Sequence, residues 1–152
     1  IEPPLREGLE SAAWFSYDWQ MQERLKLTAG LRISHFGALA RAGSYFRLDP
    51  NSNILDTLPA GNGFVAQYFY PEPRLALQYS LDSASSLKAA YTRNTQNLHL
   101  VTNSVTTSPT DRWLMSTNNI RPEVGDQFSL GYFRNSADNS WEFSAETYFK
   151  WM

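Results

Sequence analysis

The chain of 152 residues contains no cysteine, which excludes a disulfide framework and any thiolate metal site. It has no uninterrupted apolar run approaching the roughly 20 residues that a membrane-spanning helix needs. Charged residues make up only 18%, the net charge is −2, and the 13 Lys and Arg are scattered. No basic patch therefore points to nucleic acid. His35 and His99 are the only histidines, which leaves little material for acid–base chemistry near neutral pH. No segment shows an amphipathic helical period, and no repeat is present beyond a recurring hairpin. No targeting segment is present and Ile1 is not a natural start, so the chain reads as a piece of a longer protein.

Aromatic residues, by contrast, reach 14%, and they alternate with polar ones. Phe128, Leu130 and Tyr132 share a face with Trp141, Phe143, Ala145 and Phe149, which follow a turn at Asn135–Ser140. Gln127, Ser129 and Gly131 fall on the other face with Glu142, Ser144, Glu146 and Lys150. Period two is the signature of a strand with one apolar and one wet side. An earlier hairpin sets Leu9, Ala13, Phe15, Tyr17 and Trp19, then Leu25, Leu27, Ala29, Leu31 and Ile33, against Glu10, Ser16, Asp18, Gln20, Lys26, Thr28, Arg32 and Ser34. Another sets Leu75, Leu77, Tyr79 and Leu81, then Leu87, Ala89 and Tyr91, against Arg74, Gln78, Ser80, Lys88 and Thr92. Its turn, Asp82–Ser85, is made of small polar residues.

These patterns predict an all-β, antiparallel up-and-down meander with strands over 7–20, 25–36, 73–81, 86–96, 124–133 and 141–152. Short turns lie at one end. Two long irregular stretches, Gly37–Pro73 and Asn97–Glu123, lie at the other. Such long loops are unusual in a compact soluble domain and ordinary in a bacterial outer-membrane barrel.

A soluble sandwich or lipocalin-like barrel would turn the apolar face inward. A membrane barrel would turn it outward to lipid. Two features favour the second. Tyr17, Trp19, Tyr79, Tyr132 and Trp141 gather near the short turns, as in an interfacial aromatic girdle, and the middle of the apolar face carries no charge in phase. The wet phase, Lys26, Arg32, Arg74, Gln78, Lys88, Gln127, Glu142, Glu146 and Lys150, would then line a lumen. Outer-membrane barrels need about 8 strands or more, so the six predicted here make an incomplete barrel.

No catalytic, metal or cofactor motif stands out. Ser34 and Ser104 lie near the histidines without a nucleophile elbow, so an outer-membrane hydrolase is only an alternative. Glu142 and Glu146 are some 13 Å apart at about 3.3 Å per residue, beyond a shared metal or a glycosidase pair. Asp49–Asn53 begins like a calcium loop, but Ile54 and Ala60 stand where it needs glycine and an acid. Tyr68, Phe69, Tyr70, His99, Asp111, Arg112 and Trp113 are the candidate ligand contacts in the long loops. Folding of the loops onto the barrel mouth is the competing role for those rings.

Glu72-Pro73-Arg74-Leu75-Ala76-Leu77-Gln78-Tyr79, followed by Leu87-Lys88-Ala89-Ala90-Tyr91-Thr92-Arg93, resembles a late barrel hairpin of TonB-dependent outer-membrane receptors. So does Asn119-Ile120-Arg121-Pro122-Glu123 leading into Asp126-Gln127-Phe128-Ser129-Leu130-Gly131-Tyr132-Phe133. The nearest group is the large receptors with a carboxypeptidase-regulatory-like N-terminal extension, whose loop is similar to Leu98–Asn103 and Pro109–Trp113. The resemblance spans about Leu9 to the end and covers barrel alone, without plug domain, N-terminal extension or C-terminal strand. It implies a wall and extracellular-loop segment of a plugged barrel of about 22 strands in the outer membrane of a Gram-negative bacterium. The absence of cysteine suits passage through an oxidising periplasm. The implied function is TonB-energised uptake of a glycan, peptide or metal chelate, with no enzymatic step and no cofactor. The implied partners are lipid, the plug domain, TonB and, in some receptors, a surface lipoprotein. A soluble or surface ligand-binding β domain is the other alternative.

Overall fold

The structure is a computed structural model that describes residues 6–40, 45–59, 61–101, 112–136, 138 and 140–152. Its strands are β1 (Glu7–Gln22), β2 (Leu25–Leu39), β3 (Tyr45–Leu48), β4 (Ile54–Leu58), β5 (Phe64–Ser80), β6 (Ser85–Gln96), β7 (Leu98–Val101), β8 (Arg112–Met115), β9 (Glu123–Asn135) and β10 (Glu142–Trp151). No helix occurs among the described residues. Six strands form one antiparallel up-and-down sheet in the order β1-β2-β5-β6-β9-β10, while β3–β4 and β7–β8 are separate hairpins. The sheet is open, with β1 and β10 at its edges.

The six predicted strands are all present, and the turns form as their residues dictate. Glu23 and Arg24 alone join β1 to β2. At the next turn the Asp82 carboxylate accepts the Ala84 amide at 2.7 Å, and the Leu81 N–H donates to the Ser85 carbonyl at 2.9 Å. That is an Asx turn closing a hairpin.

The long connections differ from the sequence reading. The stretch Gly37–Pro73, read as irregular, contains the end of β2, the β3–β4 hairpin and the first half of β5. The stretch Asn97–Glu123 contains β7 and β8. β5 was hidden for two reasons. Phe64, Ala66, Tyr68 and Tyr70 are as apolar as their neighbours Val65 and Phe69, so no alternation is visible. Pro71 and Pro73 also lack amide hydrogens, which argues against an interior strand.

The ladder shows how the prolines fit. The Ser80 N–H points to β2, donating to the Arg24 carbonyl at 2.8 Å, and the Leu81 N–H points the other way, to Ser85. Successive amides alternate in direction, so positions 71 and 73 would donate toward β6. The β5–β6 register runs only from Arg74↔Thr92 to Ser80↔Ser86. The missing donors thus fall beyond that ladder and leave the β2 side intact.

The chain divides into two compact units. The first comprises Ile1–Ala12, Ser34–Tyr70 and Gln96–Glu123, and it holds both long connections. All the buried apolar side chains among the described residues lie here: Phe36, Ala38, Ala40 and Tyr45. The Tyr45 hydroxyl donates to the Leu39 carbonyl at 3.1 Å, and the Arg6 guanidinium lies 4.0 Å from the Tyr45 ring centroid. Asn118 and Asn119 side-chain amides both donate to the Phe46 carbonyl, at 3.0 and 2.6 Å, tying β3 to the segment before β9. Gly37 leaves the room that Phe64 fills.

The second unit comprises Ala13–Ile33, Pro71–Thr95 and Val124–Met152, and it holds all three tight turns. It is sheet alone, and no large apolar side chain in it is buried.

Candidate functional site

Alternation assigns each strand of the second unit an apolar and a polar phase, and the register carries those phases across the sheet. Leu75↔Tyr91, Leu77↔Ala89 and Tyr79↔Leu87 pair between β5 and β6. Tyr132↔Ala145, Leu130↔Thr147 and Phe128↔Phe149 pair between β9 and β10. No described residue covers this surface: Phe15 is 69% exposed, Leu77 40%, Leu130 46% and Phe149 66%. An uncovered face of this size on a lone sheet forgoes roughly 1.5–3 kcal/mol per large side chain relative to burial.

The apolar phase is not free of charge over its whole length. Asp126 of β9, opposite Trp151 of β10, is buried on this phase and grips Arg93 of β6. The Arg93 Nε donates to Oδ1 at 2.7 Å and Nη2 to Oδ2 at 3.1 Å, while the Tyr91 hydroxyl donates to Oδ1 at 2.6 Å. Toward the turn, Arg134 sits opposite Phe143. Between Asp126 and Arg134 the phase is uncharged over roughly 27 Å at ~3.4 Å per residue. The ion pair escaped the sequence reading because Arg93 and Asp126 are distant in sequence and only the register brings them together.

The other face carries the residues read as lumenal, and they interact with one another. Asp18 accepts from Thr28 at 2.6 Å and pairs with Lys26 at 3.3 Å. Arg32 meets Glu72 at 3.7 Å, and Thr95 donates to the same Glu72 carboxylate. Arg74 donates to the Asn94 carboxamide at 3.3 Å. Lys88 lies 4.3 Å from the centroid of the Phe133 ring. Glu142, Glu146 and Lys150 stand opposite Asn135, Gly131 and Gln127, and Gln78 stands opposite Lys88, all in the same phase. Trp14 also falls in this phase, at odds with its polar neighbours, and sequence reasoning passed it over. With Arg32, Arg74 and the small residues Gly30, Ala76 and Ala90 it lines a trough of about 500 Å³.

In the first unit the candidate ligand residues do not form one platform. Tyr68 and Tyr70 share a phase of β5, with ring centroids 6.3 Å apart, and Phe69 points the opposite way to stack on His35 at 4.4 Å. The Tyr68 hydroxyl donates to the Thr117 carbonyl at 2.6 Å, which ties the 117 segment to β5. His99 of β7 bonds through Nε2 to the Ser116 hydroxyl at 3.1 Å, and Ser116 has no exposed surface. His35 lies between Ser11 and Gln67, at 3.4 and 3.3 Å. Trp113 of β8 is two-thirds exposed, opposite Leu100. Arg112 pairs with Val101 through the backbone, and Asp111 and Ser104 lie outside the described residues.

No family model, curated protein or solved structure matches this chain.

The Asp49 carboxylate, read as the start of a failed calcium loop, is occupied by its own chain. It accepts the Asn51 and Asn53 amides, each at 2.8 Å, and the Asn53 carboxamide at 3.0 Å. Ser52 there takes a left-handed φ of 66°. The described residues hold no cluster of three or more metal-binding side chains.

Proposed function

We propose that this chain is wall and surface-loop sequence of an outer-membrane β-barrel of the TonB-dependent receptor type, working in energised nutrient uptake. One observation carries the reading. The second unit exposes a continuous apolar face and a continuous polar face, and its described residues bury no large apolar side chain. A soluble sandwich or lipocalin-like domain draws its stability from such a face turned inward. Here Leu27, Leu77 and Phe143 meet no shared centre, and Leu77 and Phe143 stay exposed.

Lipid is the solvent that suits this face. The uncharged band of roughly 27 Å along β9 tilts to about 20 Å of height, near the ~25 Å apolar belt of outer-membrane barrels. A backbone can sit in hydrocarbon only when every polar group is paired, so the open edges of β1 and β10 call for further strands. The receptor assignment rests on the motif likeness of 72–79, 87–93, 119–123 and 126–133. In this reading the wall is passive, and energy reaches a plug through TonB.

Single cysteines at Leu31 and Arg32, in the chain reconstituted in liposomes, test the facing. A water-soluble maleimide should label Arg32→Cys and spare Leu31→Cys. The inverse pattern, or a detergent-free monomer in which Leu31→Cys is shielded, would sink the proposal.

A further inference from the structure

The polar phase of the second unit holds three large aromatics, Trp14, Phe133 and Tyr148. Lys88 lies over Phe133, and of the three only Trp14 lines a trough with Arg32 and Arg74. Trp14 is 76% exposed in a trough it shares with Ser16, Thr28 and Arg32. Apolar surface left in water is unfavourable by about 25 cal/mol per Å², so an indole here is best explained by something that covers it.

The neighbours say what. Gly30, Ala76 and Ala90 put almost no bulk on this face, and the trough they leave has about 500 Å³, inside the roughly 300–1,000 Å³ of small-molecule sites. The charge of Arg32 is matched by Glu72, which lies almost wholly out of solvent. Arg74 is different. Its partner is the neutral carboxamide of Asn94, and it has no carboxylate partner among the described residues. The excess positive charge of the trough therefore sits on Arg74. Ser16 and Thr92 add hydroxyl groups along the same lining.

We propose that the trough binds an oligosaccharide bearing a carboxylate, with Trp14 beneath the C–H face of a pyranose and Arg74 on the acid. A guanidinium fork matches a planar carboxylate in two parallel hydrogen bonds. An indole offers a flat apolar platform, and the hydroxyls and Asn94 suit sugar hydroxyls. The side chains that would hold the ligand, Trp14 and Arg74, belong to the polar phase, so the inference goes beyond the membrane reading and does not need lipid on the other side.

Calorimetric titration of the whole chain in mild detergent with trigalacturonate and with maltotriose tests it. Trigalacturonate should bind at least about tenfold more tightly, the scale of a charge-assisted hydrogen bond. Arg74→Gln should bring it down to the maltotriose level. Trp14→Ala should weaken both sugars, and Tyr79→Ala, on the opposite phase and outside the trough, should change neither. If a truncation unfolds the sheet by circular dichroism, Trp14→Phe and Arg74→Lys should shift affinity the same way by less. Equal affinity for the two sugars, no binding of either, or binding indifferent to Trp14 and Arg74 would overturn the assignment. The cysteine labelling at Leu31 keeps the questions apart. A protected Leu31→Cys with no sugar binding sinks the ligand alone, and a labelled one with intact binding sinks the membrane alone.

Discussion

Asp138 organises the last turn by itself. Its carboxylate accepts from the Ser136 hydroxyl, and from the hydroxyl and amide of Ser140 at 2.7 and 3.2 Å. The Ser136 hydroxyl in turn accepts the Trp141 amide at 3.2 Å. Hydrogen bonds to the ionised form, led by that of Ser136, hold the Asp138 pKa down at about 2, below the ordinary 3.8. A depressed carboxylate adds stability that is complete above its unfolded value and is lost as pH falls through the folded one. The turn should therefore loosen between about pH 4 and pH 2, seen as faster exchange of the Trp141 amide. Asp138→Asn should flatten that dependence. Gly37 makes a steric prediction. A Cβ there would lie 2.4 Å from Cε1 of Phe64, so Gly37→Ala must displace the ring. We expect a cost of about 1–3 kcal/mol in denaturant unfolding, and an unchanged midpoint would contradict this packing.

At the scale of the strand, phase decides what a substitution costs. Leu77 and Gln78 are neighbours on β5, facing Ala89 and Lys88 respectively. If the apolar phase meets lipid, Leu77→Arg should destabilise the chain in bilayers by about 2–4 kcal/mol near the midplane. Gln78→Arg should be nearly neutral. Equal effects would refute the two-faced assignment. The phases themselves were legible in the sequence: Leu75, Leu77 and Tyr79 against Arg74 and Gln78 needed only period-two counting. The first half of β5 was not legible, because Phe64–Tyr70 is apolar on both sides. The candidate contacts were legible as residue types but not as a group, since Phe69 and Tyr68 diverge in direction once they belong to a strand. The Arg93–Asp126 pair and the Trp14 trough depend on register, which no local pattern encodes.

For the molecule as a whole the open sheet poses the sharpest question. β1 and β10 each have one neighbour, and neither carries a proline to blunt its edge. In the isolated chain, hydrogen exchange should be slow in β5 and β6 and fast along the outer sides of β1 and β10. Uniform protection of β1 and β10 would show that other strands, from further chain or a second copy, have joined those edges.

Sequence alone determined the six strands of the main sheet, the tight turns and the apolar and polar phases, because alternation follows from the geometry of an extended backbone and reads locally. Tertiary structure decided which phase is covered in each unit. In the first unit the phase of Ser34, Phe36 and Ala38 is buried, and in the second unit the apolar phase stays bare. Coverage depends on segments remote in sequence, such as Tyr45 and Asn118, so no local pattern could contain it.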